Sequence, residues 1–296
     1  MRWNEWLGPM QRLPLPTALD DWFANVSGDS IEPFELVLRG GRLAATPGLA
    51  FLAGYQAALR RLWPAAPAGI GALCTTEQHG LRPDDVRTRL EGLILNGRKG
   101  FVIAGSAAAW LLVSARDEGL GECSRLSLCV VSSDAPGVTI EDGPPLTMVP
   151  DIPHGRLLLQ GASCQKLAGD GWHDYVKPFR TLEDLHVLAA LVSWLHGVGL
   201  ECAWPQTLQL RLIGLLTAAA EVSRLSPGDV STHLLLAALD AQWIATLPSV
   251  DEALEQGPSH WALLWRRDRA ILDLARHARA KRQANAAAAF TLTPAP

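Results

Sequence analysis

The 296-residue chain reads as an α+β protein, a β-rich centre held between two helical segments. Two observations predict this. Between Gly97 and Leu159, short apolar runs (Phe101–Ala104, Trp110–Val113, Leu126–Val131 and Leu157–Leu159) are broken by Gly, Pro, Asp and Ser clusters at roughly ten-residue intervals. That spacing belongs to a small antiparallel sandwich or barrel. After Gly169-Asp170-Gly171 the hydrophobic period changes from about two to about 3.6, as it does where strands give way to helices.

Residues 1–32 are rich in Trp, Pro and Asp without a sustained period, and read as a loosely helical arm. From Pro47 to Leu62, apolar residues recur at three- and four-residue steps, with Gly40-Gly41 ahead and Trp63-Pro64 behind; one amphipathic helix is expected. Ile70–Thr76 is strand-like, and Glu77 to Asp85 is a polar loop. Beyond residue 169, Leu182, Leu185, Leu188, Val192 and Leu195 form a stripe with Thr181 as its N-cap and Gly197 and Gly199 as stop signals. Further helices are expected at about 205–224, 231–247 and 259–282, so the four should close an antiparallel bundle. The Ala-rich end, 284–296, is expected to be frayed.

Composition excludes several classes. Hydrophobic residues at 48% and charged residues at 19% describe a globular core, and a net charge of −4 gives no basis for nucleic-acid binding. There is no signal-like start and no run of eighteen uninterrupted apolar residues, so a cytoplasmic chain without a membrane span is expected. Five scattered cysteines without a C-x-x-C pair read as reduced thiols. Dinucleotide-fold, phosphate-loop, zinc-protease and serine-hydrolase signatures are absent. His79, His154 and His186 read as surface or interior residues, not ligands. Arg266, Arg267, Arg269, Arg276, Arg279, Lys281 and Arg282 make either an anion-binding strip or a solvated helix face.

At Cys74-Thr75-Thr76-Glu77, Gly80, Pro83-Asp84 and Gly97-Arg98-Lys99-Gly100-Phe101-Val102-Ile103-Ala104, the chain resembles the acyl-CoA dehydrogenase family. The order continues through Leu112-Val113-Ser114-Ala115-Arg116, Pro136-Gly137-Val138 and Gly169-Asp170-Gly171-Trp172. The resemblance implies a reduced helical N-terminal segment (1–68), a middle antiparallel β-barrel (69–168), a C-terminal four-helix bundle (169–285) and a disordered tail (286–296). It further implies FAD held by Thr75, Thr76, Phe101, Ile103 and Gly105, and an acyl-CoA or other acyl thioester oxidised across Cα–Cβ.

The departures are specific. Ile103 stands where the family segment has a threonine, which removes a hydroxyl from the flavin edge. The late segments that carry the usual catalytic glutamate are missing. Some relatives place that base on the first bundle helix, a slot that falls near Glu183-Asp184, and Glu183 is the catalytic candidate; a helix first-turn acid is the plainer reading of it. The alternative function is a non-catalytic homologue that serves as a structural or regulatory subunit of a full-length relative. Self-association, or pairing with a related dehydrogenase, is expected through the bundle. Trp243, Trp261 and Trp265 are its candidate anchors, unless they pack inside.

Overall fold

The computed structural model describes residues 3–28, 31–77, 85–117 and 125–291. Four helices precede the sheet: α1 (Trp3–Trp6), α2 (Leu19–Ser27), α3 (Pro33–Leu43) and α4 (Pro47–Leu62). The bounds of α4 are those its periodicity predicts. Thr46 caps it by accepting from the Leu49 amide at 3.3 Å, and Pro47 occupies the first turn. Every residue from Pro47 to Leu59 is buried, because α4 is covered on all sides.

The cover comes from α3 and from α5 (Lys177–Glu201). A π-helical turn at Gly171–Val176 leads into α5, capped by Asp170, whose carboxylate accepts from the Trp172 and His173 amides. Three expectations are corrected here. Thr181 lies inside the helix and is not its cap, and neither Gly197 nor Gly199 stops it. Gly199 is instead a contact surface, since a Cβ there would lie 2.9 Å from the Trp204 ring. Gly54 plays the same part on α4: its Cβ would meet the His186 carbonyl oxygen at 2.6 Å and Val187 Cα at 2.8 Å. Neither backbone atom can move aside. Gly54→Ala should therefore destabilise the chain by about 1–3 kcal/mol through overpacking, although alanine is the better helix former by about 1 kcal/mol. The urea midpoint reads the outcome, and a stabilised variant would refute the close packing.

The C-terminal helices continue as α6 (Gln206–Val222), α7 (Val230–Gln256), α8 (Ser259–Asp268), a 3-10 turn (Arg269–Asp273) and α9 (Arg276–Ala289). The expected third helix is longer, passing through Pro248, and the fourth is broken in two. Helix α9 carries the chain to Ala289, into the segment expected to be a disordered tail; residues 292–296 lie outside the described ones. The four-helix bundle is also revised. α5 is buried from Leu185 to Gly199 because α3 and α4 cover one side of it and α6 the other. One apolar cluster accordingly joins Phe23 and Leu52 to Trp194, Leu216 and Trp265. Trp265 is 1% exposed, stacked 6.4 Å from Trp194 and edge-on to Trp243 at 6.0 Å, so it is a core residue and not an interface anchor. α7 buries Leu236, Leu239, Trp243 and Val250 against its neighbours but leaves Leu235 and Ile244 exposed. It is long and apolar enough to cross a membrane by length and composition.

The centre is an open, curled half-barrel, not a closed one. Its strands are β1 (Gly71–Cys74), β2 (Arg89–Glu91), β3 (Ile94–Ile103), β4 (Trp110–Asp117), β5 (Arg125–Ser132), β6 (Val138–Asp142), β7 (His154–Ser163) and β8 (Gln165–Lys166). They run in the order β6-β7-β3-β2-β4-β5-β8. The sheet is not wholly antiparallel. β1 and β2 lie along the same edge of β4, both parallel to it. β3 is irregular, with register shifts at Leu95/Asn96 and between Lys99 and Val102. Helix α4 docks on this edge through buried Gln56, which donates to the Gly71 carbonyl at 2.7 Å and accepts from the Gly71 amide at 2.9 Å. The Tyr55 hydroxyl accepts from the Leu73 amide at 2.8 Å.

Candidate functional site

Where β1 leaves the sheet, Thr75, Thr76 and Glu77 follow, and most of the polar loop predicted there (78–84, with Gly80, Pro83 and Asp84) lies outside the described residues, as does His79. Glu77 is fixed from four directions. Lys99 Nζ donates to it at 2.6 Å, Thr88 Oγ1 at 2.7 Å, the Arg87 amide at 2.6 Å and the Thr88 amide at 3.1 Å. Lys99 also donates to Ser114 Oγ at 3.2 Å, and its side chain is wholly buried. This ion pair ties the start of the loop to β3 and β4. Beside it the Gly100 amide donates to the Thr76 carbonyl at 2.8 Å, which holds Thr76 next to Phe101.

Two hollows meet at Phe101. The first is a groove of about 1,020 Å³ on the half-barrel, lined by Thr76, Gly100, Phe101, Arg87, Arg98 and Arg156 among others. The second is an apolar cavity of about 130 Å³ between the half-barrel and the helices. Phe101, Ile103 and His154 wall it on one side, and Phe51, Glu183, Asp184 and Val187 on the other. The chain 143–153 and the stretch around Leu272 complete it. The His154 ring stacks on Phe101 at 5.2 Å and 22°.

The fold thus brings together four of the six residues singled out from sequence: Thr76 and Phe101 at the groove, and Phe101, Ile103 and Glu183 at the cavity. Thr75 and Gly105 line neither hollow. Gly105 has a φ of +50° and sits in a turn that Asp142 caps, accepting from the Ser106 amide at 2.7 Å; a Cβ at Gly105 would strike that carboxylate. Sequence reasoning named Asp184 only as the neighbour of Glu183, placed Arg279 and Arg282 in the basic strip without partners, and set His154 aside. The basic strip was the available signal. Most of its arginines are partners for acids, some buried and some on the solvated face. Arg266 pairs with Glu255, Arg269 with Asp251, Arg279 with Asp240, and both Arg279 and Arg282 with Asp184.

Those pairs set the electrostatics beside the cavity. Burial pushes the Glu183 carboxyl up to about 8, the neighbouring Asp184 pushes the same way, and Arg180 and Arg282 oppose them. Glu183 is enclosed by protein yet keeps some accessible surface; the space it reaches is the cavity. Burial also raises Asp184, against the pull of Arg279 and Arg282. A carboxyl held in this way against an apolar hollow is a proton acceptor poised near neutral pH. Among the described residues no cluster of His, Cys, Asp and Glu could hold a metal ion, and Cys74, Cys129, Cys164 and Cys202 are free thiols.

No family model and no curated protein matches the chain. Solved structures do match. Butyryl-CoA dehydrogenase from Megasphaera elsdenii superposes with a TM-score of 0.61 at 12% identity, over 88% of this chain and 83% of that one. FkbI, described as serving biosynthesis of the methoxymalonyl extender unit of a polyketide immunosuppressant, gives 0.60 at 17% identity, over 96% and 94%. PigA with FAD and proline gives 0.53 at 14% identity, over 78% and 74%. The chain therefore has the fold of the acyl-CoA dehydrogenases, as its ordered motifs imply.

Proposed function

We propose that this protein is a flavoprotein of the acyl-CoA dehydrogenase kind that oxidises the Cα–Cβ bond of an acyl thioester, with Glu183 as the base. One observation carries the reading: Glu183 and the Phe101–Ile103 end of β3 line the same apolar cavity, and Phe101 also lines the large groove. The residues suit FAD. A groove of about 1,020 Å³ lies at the upper limit of the range for ligand and cofactor sites, about 300–1,000 Å³. Arg87, Arg98 and Arg156 supply cations for a pyrophosphate, in excess of the one acid of the lining not already paired with Lys99, Glu141, while Thr76 supplies a hydroxyl and Phe101 a flat apolar face. Bound FAD would supply the acceptor for the hydride leaving Cβ.

The chain's own part is proton removal. Glu183 takes the proton from Cα only when ionised, and the apolar walls keep bulk water from competing for it. With the carboxyl raised to about 8, kcat/KM should rise with pH through that region. Ile103 and the small cavity favour a second reading, the non-catalytic subunit. In either case we propose pairing through the exposed apolar residues of α7, Leu235 and Ile244, in place of the tryptophans.

The two readings part on flavin. The purified protein should show a visible flavin band or bind added FAD with quenched fluorescence. Arg98→Ala combined with Arg156→Ala should weaken that binding at least about tenfold, the loss of two charge-assisted contacts. Protein that is colourless and does not respond to FAD would leave only the non-catalytic reading.

A further inference from the structure

We infer that the cavity beside Glu183 admits only a short acyl chain, and that the strap 143–153 sets the limit. The inference rests on the proposed reading of this cavity as the acyl site. At about 130 Å³ it is slightly smaller than the hollow of about 150 Å³ that holds one benzene in a protein core, so the ligand part it encloses has about six heavy atoms or fewer. Apart from Glu183, Asp184, Arg279 and His154, the lining is aliphatic and aromatic, with Phe51, Met148, Ile152, Leu272 and Leu274 among its residues. An acyl chain of four to six carbons matches that volume. A longer one must displace a wall.

The strap is not free to yield. It joins β6 to β7 and contributes Leu146, Met148, Val149, Ile152 and Pro153 to the cavity. Helix α8 clamps it. The Val149 amide donates to Asp268 Oδ1 at 2.8 Å, and the Asp268 side chain is wholly buried. Arg267 bridges the two segments, 2.7 Å from Asp268 Oδ1 and 2.9 Å from Asp151 Oδ2. Val149 itself sits at φ +43°, a left-handed conformation that a β-branched residue keeps only where its surroundings enforce it. Gly48 of α4 leaves room for this turn, since a Cβ there would be 3.0 Å from Asp151 Oδ2 and 3.3 Å from Val149 Cβ. Met148, next to the clamped residue, is therefore held as a fixed stop.

The test is calorimetric titration of the purified protein with acetyl-, butyryl-, hexanoyl- and dodecanoyl-CoA, which needs no turnover. Butyryl- or hexanoyl-CoA should bind at least tenfold more tightly than dodecanoyl-CoA. Met148→Ala should narrow or reverse that ratio, with Leu272→Ala on the opposite wall as the second variant should the first fail to fold. Asp268→Asn, which weakens the clamp without emptying space, should relax the preference while butyryl-CoA still binds. Dodecanoyl-CoA binding as tightly as butyryl-CoA would overturn the length limit and leave the acyl site standing. Absence of binding at every length would overturn both. A preference unchanged by either wall variant would show that the limit lies elsewhere, and the inference about the strap would be wrong.

Discussion

Lys99→Met is expected to lower the unfolding free energy by about 3–5 kcal/mol, the usual cost of stranding one partner of a buried ion pair. The side chain of Lys99 is 0% exposed and that of Glu77 8%, with 2.6 Å between Nζ and Oε1. Removing the ammonium leaves the Glu77 carboxylate with Thr88 and the Arg87 amide but no counter-charge. Burial works against the Glu77 anion, and Lys99 is foremost among the groups that hold its carboxyl below the usual range. A depressed folded value stabilises above the unfolded one, about 4.5, and that stability is lost as pH falls through the folded value. The variant loses this pattern, because its Glu77 gains from protonation instead. Adding Glu77→Gln should recover part of the loss, since it removes the uncompensated charge, although glutamine has one acceptor oxygen for donors that reach both carboxylate oxygens, the Arg87 amide on one and Thr88 on the other. Urea unfolding of the wild type, both single variants and the double variant measures the coupling. A double variant as unstable as Lys99→Met alone would mean that the pair is not coupled as the geometry requires. The same cycle matters for function, because this pair anchors Thr76 beside Phe101.

Glu183→Gln should have the largest effect on turnover, a loss of about 10²–10⁴-fold in kcat, the range for removing a general base. It should also change stability, in the opposite sense. The folded carboxyl is raised to about 8 from an ordinary 4.5, so the folded protein keeps a proton that the unfolded chain gives up. The stability this provides is complete below about pH 4.5 and is lost as pH rises to about 8. Glutamine does not titrate. The variant should therefore match the wild type near pH 4.5 and exceed it by about 2–4 kcal/mol at pH 9, after discounting for water that the cavity admits. Thermal unfolding at the two pH values gives the difference directly. A difference independent of pH would mean that Glu183 is solvated and unperturbed, and the case for it as the base would lose its physical ground. If turnover falls while the pH-dependent gain appears, the carboxyl is both buried and used.

Local pattern carried the sequence reading as far as local forces reach. The bounds of α4 were legible because Thr46, Pro47 and the apolar steps to Leu62 act within a few residues of one another. The strands at Trp110–Asp117 and His154–Ser163 were legible in their apolar cores, whereas Glu183 was offered by the family resemblance and not by any local pattern. Helix α3 was missed, since Gly40 and Gly41 weaken its pattern. Its buried Arg42, which donates to the Gly8 carbonyl at 2.9 Å, makes sense only with the N-terminal arm in place. Gly197 and Gly199 were misread for a related reason: the sequence shows that a side chain is missing but not which neighbour fills the space.

By itself, then, the sequence determined the strongly periodic stretches, such as α4 and the apolar cores of β4 and β7, because periodicity and capping are properties of neighbouring residues. The tertiary structure alone decided what each face meets. Trp265 went to the core because Trp194 and Trp243 converge on it from other helices. The basic strip became a set of partners because Asp184 and Asp240 lie across from it on α5 and α7. β1 and β2 fell in line along β4 because parallel pairing joins segments distant in sequence. The cavity is the extreme case. Its walls come from α4, β3, β7, α5, α9 and the chain 143–153, and its volume depends on how closely they approach, a quantity fixed by long-range packing that no local pattern encodes.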